Sequence, residues 1–181
     1  MNFNRDPNEG QLMPEERQIL YETILKEKPD FVFEVGTWKG GGSTYYISSA
    51  LFENKKGILF TIECNKEMYS HAMQLYNKEL IYLKSHINFN LGKSLEIYPE
   101  LLKTIPKLDF VFLDGDNNAD QTIKEYLMFE PYLKSDSIIA CHDWNILKME
   151  KLKNLISNDR SWSVQISLLG GPTGFALLKR N

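Results

Sequence analysis

The chain has 181 residues, 43% of them hydrophobic and 25% charged, with a net charge of −3. That size suits one domain with one core, spanning 1–181. The charge balance gives no basic footprint for nucleic acid, and no apolar run is long enough to span a bilayer, so neither partner is expected. Met1 to Gly10 is polar and lacks the apolar centre of a signal peptide, which makes a cytoplasmic location the expectation. Cys64 and Cys141 are the only cysteines. Each stands at an expected strand end, and together they suggest no disulfide scaffold.

Residues 1–29 read as a lead-in and one helix, and 30–181 as the core. Met1 to Leu12 reads as a loose lead-in. Pro14-Glu15-Glu16 opens a helix, since proline fits the first position and acids favour the first turn. Ile19, Leu20, Ile24 and Leu25 give it an apolar stripe, and Pro29 ends it. Phe31 to Val35 is the first strand, an apolar run of the buried parallel kind. Ser43-Thr44 can cap the helix that follows, to about Leu51. Gly57 to Glu63 is the second strand, and Asn65 caps the next helix. Ile87 to Leu91 is the third strand, with a helix over Leu95 to Leu102 that contains Pro99. Leu108 to Leu113 is the fourth strand, followed by a helix from Asp120 to Leu133. Ser137 to Cys141 is the fifth, followed by an amphipathic helix from Ile146 to Ile156. Ser163 to Leu169 and Phe175 to Leu178 have only Gly170-Gly171-Pro172-Thr173-Gly174 between them, so they pair as an antiparallel hairpin. These alternations predict an α/β fold: a Rossmann-like, doubly wound, seven-stranded sheet, mostly parallel, with one antiparallel strand near the C-terminus.

Ligands of such sheets bind at the carboxyl ends of the strands. Those ends carry Glu34 with a glycine loop, Glu63, Gly92-Lys93-Ser94, Asp114 with Asp116, and His142 with Asp143. In the loop, Gly36, Gly40, Gly41 and Gly42 remove Cβ atoms where the backbone turns and a ligand can approach. The same glycines would also serve a tight turn that binds nothing. An acid beside the loop does not suit a phosphate site; it suits hydroxyls or a cationic centre. Glu63, at the end of the second strand, is placed to accept hydrogen bonds from ribose hydroxyls. A nicotinamide dinucleotide site would use the same acid, but its G-x-G-x-x-G fingerprint has Trp38 at the second glycine, which obstructs a pyrophosphate.

EVGTWKGGGS, then TIEC, LDGD and HDW, in that order, resemble a class I S-adenosylmethionine-dependent methyltransferase. Within that class the chain is most similar to small O-methyltransferases of the catechol-methyltransferase and macrocin-methyltransferase type, over about Phe31 to Lys179. The resemblance implies a cofactor-binding set of Glu34, Gly36, Thr37, Gly40, Gly42, Ser43, Glu63, Cys64, Lys93, Ser94 and Asp114. Glu34 and Gly36 would line the methionine part, Gly40 to Ser43 the backbone cradle, Glu63 the ribose, and Lys93 and Ser94 the adenine. Asp114 would face the cofactor amino group or a divalent metal. His142 and Asp143 match the paired polar residues that hold metal in metal-dependent relatives. The loop carries one glycine more than the common family form GTxxGGS. Asn117-Asn118 stand after LDGD, where relatives often carry a histidine or a catalytic lysine.

The function expected is methyl transfer from S-adenosylmethionine, with S-adenosylhomocysteine as product, to an oxygen of a small-molecule acceptor. His142, Asp143 and Asp114 form the catalytic set. Asp114, Asp116, His142 and Asp143 are the candidate ligands of Mg²⁺ or another divalent cation, since acids on adjacent strands repel unless a cation or proton lies between them. Without a metal, His142 is the general base. Trp38, Trp144 and the tyrosines near Tyr45 could wall an acceptor or simply pack in the core. A silent cofactor-binding module and a nicotinamide-dependent oxidoreductase are the alternatives, and a homodimer is a candidate assembly.

Overall fold

In a computed structural model of the chain, residues 1–4, 11–168 and 173–181 are described. Seven strands form a sheet in the order β3-β2-β1-β4-β5-β7-β6. They are β1 (Phe31–Val35), β2 (Ile58–Glu63), β3 (Ile87–Leu91), β4 (Leu108–Leu113), β5 (Leu133–His142), β6 (Trp162–Leu168) and β7 (Phe175–Arg180). β7 is antiparallel to β6, as the helix-free connection requires, and to β5 as well. Leu169, the expected end of β6, and Gly170, Gly171 and Pro172 of that connection lie outside the described residues. The chain divides into two compact units, Met1–Lys93 and Ser94–Asn181.

The first unit contains α1 (Pro14–Glu27), α2 (Ser43–Asn54), α3 (Lys66–Lys78) and the parallel strands β1, β2 and β3. α1 opens on Pro14, and Glu16 reaches back to accept a hydrogen bond from the Met13 amide at 2.8 Å. Asn65 caps α3 by accepting from the Glu67 and Met68 amides, as its position after β2 foretells. The described residues of the lead-in are anchored, while 5–10 lie outside the described residues. Phe3 packs on Tyr21 and Tyr46, the Tyr46 hydroxyl donates to the Asn2 carbonyl, and Leu12 is buried. A single aromatic residue in a polar segment gives no periodic signal, which is why the sequence reads as unanchored there.

Gly40 connects this core to the glycine loop. Its φ of +79° is a left-handed backbone, and a Cβ there would meet Ala72 Cβ and Tyr76 Cε2 of α3, both at 3.0 Å. The Tyr76 hydroxyl donates to the Gly40 carbonyl at 3.1 Å, so the loop lies directly on the helix. Tyr76 in turn belongs to a buried cluster with Leu80 and Leu83.

The second unit contains α4 (Ser94–Leu102), α5 (Ala119–Phe129), α6 (Glu150–Ser157) and strands β4 to β7. α5 stops at Phe129 rather than Leu133. Pro131 has no N–H to continue the helix, and a short 3-10 turn, Glu130–Tyr132, replaces its last turn. β5 begins at Leu133, four residues earlier than its apolar run. Its polar lead, Lys134 to Asp136, bulges away from β4, and Ser137 closes the bulge by donating to the Leu108 carbonyl at 2.6 Å. Trp162 Nε1 donates to the Tyr126 hydroxyl at 3.1 Å, and burial pushes that phenol up to about 12.

Replacing Gly40 by alanine should destabilise the protein by about 1–3 kcal/mol, because it adds backbone strain and two close contacts at once. Urea denaturation reads this directly; an unchanged midpoint would contradict the packing of the loop on α3.

Candidate active site

In the first unit, the Glu34 carboxylate at the end of β1 is fully buried. Its Oε2 accepts from the Thr44 and Thr61 hydroxyls, each at 2.6 Å. The Thr61 hydroxyl has only one proton, so the 2.5 Å contact between Thr37 Oγ1 and Thr61 Oγ1 is donated by Thr37. One carboxylate therefore ties together β1, β2, the glycine loop and the first turn of α2. This arrangement corrects the expected helix cap. Gly42 is the N-cap residue and makes no side-chain cap bond, while Thr44 turns to Glu34 instead.

Glu63, at the end of β2, has both oxygens on backbone amides. Oε2 accepts from Trp38 and Oε1 from Asn65, each at 2.8 Å. A carboxylate has about four lone-pair sites, so each oxygen can accept a further hydrogen bond. Trp38 holds a left-handed backbone at φ 52° with its ring half exposed, while Gly36 sits at φ 99°. Thr37 and Ser43 are buried, and Cys64 is exposed beside Glu63. Of the proposed aromatic wall, Tyr45 packs against the Tyr76 cluster. Lys93 ends this unit, exposed after β3.

In the second unit, the neighbouring strands β4 and β5 pair Leu113 with Cys141, so Asp114 and His142-Asp143 leave adjacent strand ends. Asp114, His142 and Asp143 offer ligand atoms within 4.8 Å of one another. The exposed Asp116 is not in this group. His142 Nδ1 lies 3.1 Å from Asp114 Oδ1 and 3.4 Å from Asp143 Oδ1. His142 Nδ1 therefore faces both carboxylates. The fourth member is one the sequence reading missed. Lys148 Nζ lies 2.5 Å from Asp143 Oδ2 and 3.2 Å from Asp114 Oδ1. Burial alone would push its ammonium down, but Asp114 and Asp143 outweigh that and hold it above the ordinary lysine value. Trp144 is buried, with the Lys153 ammonium 5.0 Å above its ring.

Ser94 heads α4, and its hydroxyl donates to Glu125 Oε1 at 2.6 Å; Gln121 Nε2 reaches the same oxygen at 3.0 Å. Burial pushes the Glu125 carboxyl up, against the opposing pull of those two bonds.

The sheet order, the glycine turn after β1 and the acids at the strand ends define a methyltransferase fold. A family model described as a methyltransferase domain matches residues 33–144, and the chain belongs to that family. No curated protein matches it. Among solved structures it is similar to the O-methyltransferase TomG from Streptomyces achromogenes, involved in tomaymycin synthesis and solved in complex with SAM. That pair shares 19% identity with a TM-score of 0.77, covering 97% of this chain and 83% of that one. An O-methyltransferase from Bacillus cereus in complex with SAH shares 17% identity, TM-score 0.78, over 94% and 82% of the two chains. The SAH-bound Podospora anserina methyltransferase PaMTH1 shares 15%, TM-score 0.75, over 98% and 83%. At these identities the likeness establishes a shared fold. Among the described residues, no helix is long and apolar enough to cross a membrane.

Glu125 yields a pH prediction. A native state that holds a carboxyl proton more tightly than the unfolded chain loses stability as pH rises from the unfolded pKa through the native one. Denaturation of wild type and Glu125→Gln between about pH 4 and 8 should show the wild type losing ground to the variant as pH rises. Parallel curves would contradict the buried, desolvated carboxyl.

Proposed function

We propose that the chain acts as one methyltransferase domain and transfers the methyl group of S-adenosylmethionine to an oxygen of a small-molecule acceptor. The observation that carries this is Glu63. Its carboxylate is fixed by the Trp38 and Asn65 amides and retains acceptor capacity for a ribose diol. Trp38 favours this cofactor over a dinucleotide, because a bulky residue stands where the pyrophosphate loop needs a second glycine.

When bound, the cofactor supplies a sulfonium-activated methyl group. Gly36, Thr37, Gly40, Gly42 and Ser43 give its methionine part a backbone cradle organised by Glu34. Cys64, Lys93 and Ser94 remain the residues proposed for its nucleoside. Asp114, the most exposed member of its cluster, would take the proton that the acceptor hydroxyl gives up when its oxygen gains the methyl group. His142, fully buried, holds Asp114 through Nδ1 and acts as a positioning residue rather than as the base in contact with the acceptor. Most of the rate enhancement then comes from holding the two reactants in line. Lys148 also weakens the reading as a silent module, since the basic residue absent at Asn117-Asn118 reaches Asp114 from another turn.

Calorimetry with S-adenosylhomocysteine should show one site, and Glu63→Ala should weaken it by about tenfold or more, as a charge-assisted pair of hydrogen bonds is lost. Absent binding, or binding of NAD in its place, would overturn the proposal.

A further inference from the structure

Leu147 and Lys148 have exchanged the environments their side chains ordinarily take. Leu147 is 80% exposed, whereas Lys148 has 2% of its side chain exposed. Lysine is almost never buried so deeply unless paired, and here the pairing is double. The backbone is shaped to produce it. Asp143 takes a left-handed φ of 59°, which a non-glycine residue adopts at an energetic cost. The turn that follows is closed by the Ile146 amide on the Asp143 carbonyl and the Met149 amide on the Ile146 carbonyl, both at 3.1 Å. It is anchored by the Trp144 amide on the Gly174 carbonyl and the Asn145 amide on the Thr173 carbonyl. The result brings Lys148 back onto the acid five residues before it.

This geometry does not fit a divalent ion on the same acids. Magnesium needs oxygen ligands at about 2.0–2.1 Å in near-octahedral array. The oxygens that would bind it, Asp143 Oδ2 and Asp114 Oδ1, already face an ammonium, and a dication there would stand beside a fixed positive charge in a poorly screened site.

We infer that Lys148 is the resident cation of this cluster: its ammonium takes the place of a divalent ion between Asp114 and Asp143, and the chain neither holds nor needs such an ion there. Only the statement about need rests on the proposed methyl transfer; the statement about binding stands on the cluster alone.

The test is a Mn²⁺ titration of the whole protein, followed by calorimetry and by the electron-spin signal of free Mn²⁺. Wild type should show no saturable site. Lys148→Ala, and Lys148→Met as the variant that keeps the apolar stem, should gain one saturable Mn²⁺ site, at least about tenfold tighter than any residual wild-type binding. That site should vanish when Asp143→Asn is added. One saturable Mn²⁺ in wild type that Asp143→Asn removes would overturn the inference, and so would a folded Lys148 variant that gains nothing. Once an acceptor is known, wild-type turnover should be unchanged in excess chelator; loss restored by Mg²⁺ would overturn the statement about need. Failure of S-adenosylhomocysteine to bind would strike the proposed function alone, since the Mn²⁺ titration requires neither cofactor nor acceptor.

Discussion

The buried carboxylate of Glu34 is the interaction on which the first unit depends. An isolated anion inside a protein is strongly unfavourable unless hydrogen bonds replace its lost water. Here Thr44 and Thr61 supply two of them, and Thr37 extends the chain into the glycine loop. The requirement works in both directions. The acid is stable only if α2, β2 and the loop hold their places, and those segments are held in turn by the acid. Glu34 therefore braces the glycine loop from within, while Glu63 has one oxygen on the Trp38 amide and the other on the Asn65 amide.

The second unit solves a related problem differently. Asp114 and Asp143 leave adjacent strands and would repel each other. The chain places Lys148 between them, with His142 Nδ1 alongside, so much of the repulsion is offset from within. A buried ion pair of this kind is weak evidence for stability, because desolvation offsets most of the attraction.

Much of this was legible in the sequence. Strand runs such as Phe31–Val35 and Leu108–Leu113 are apolar apart from Glu34 and Asp109, and Asn65 follows β2 as a cap should. The antiparallel β7 followed from the lack of room for a helix. What escaped notice depended on tertiary partners. Thr44 looks like a cap until Glu34 claims its hydroxyl. The polar start of β5 looks like a loop until Ser137 closes the bulge. Lys148 did leave a signal: it stands four residues before Leu152 and eight before Ile156, in register with the buried stripe of the last helix. A lysine in that register reads as a solvated charge until the acids at two other strand ends are brought beside it.

The most direct test of the account is transfer of a labelled methyl group. The protein, with methyl-labelled S-adenosylmethionine and a panel of small hydroxyl compounds, should place label on an oxygen of at least one of them. S-adenosylhomocysteine should form in equal amount. Tight cofactor binding with no label transferred to any acceptor, with or without added Mg²⁺, would contradict it and leave a module that holds the cofactor without turning it over.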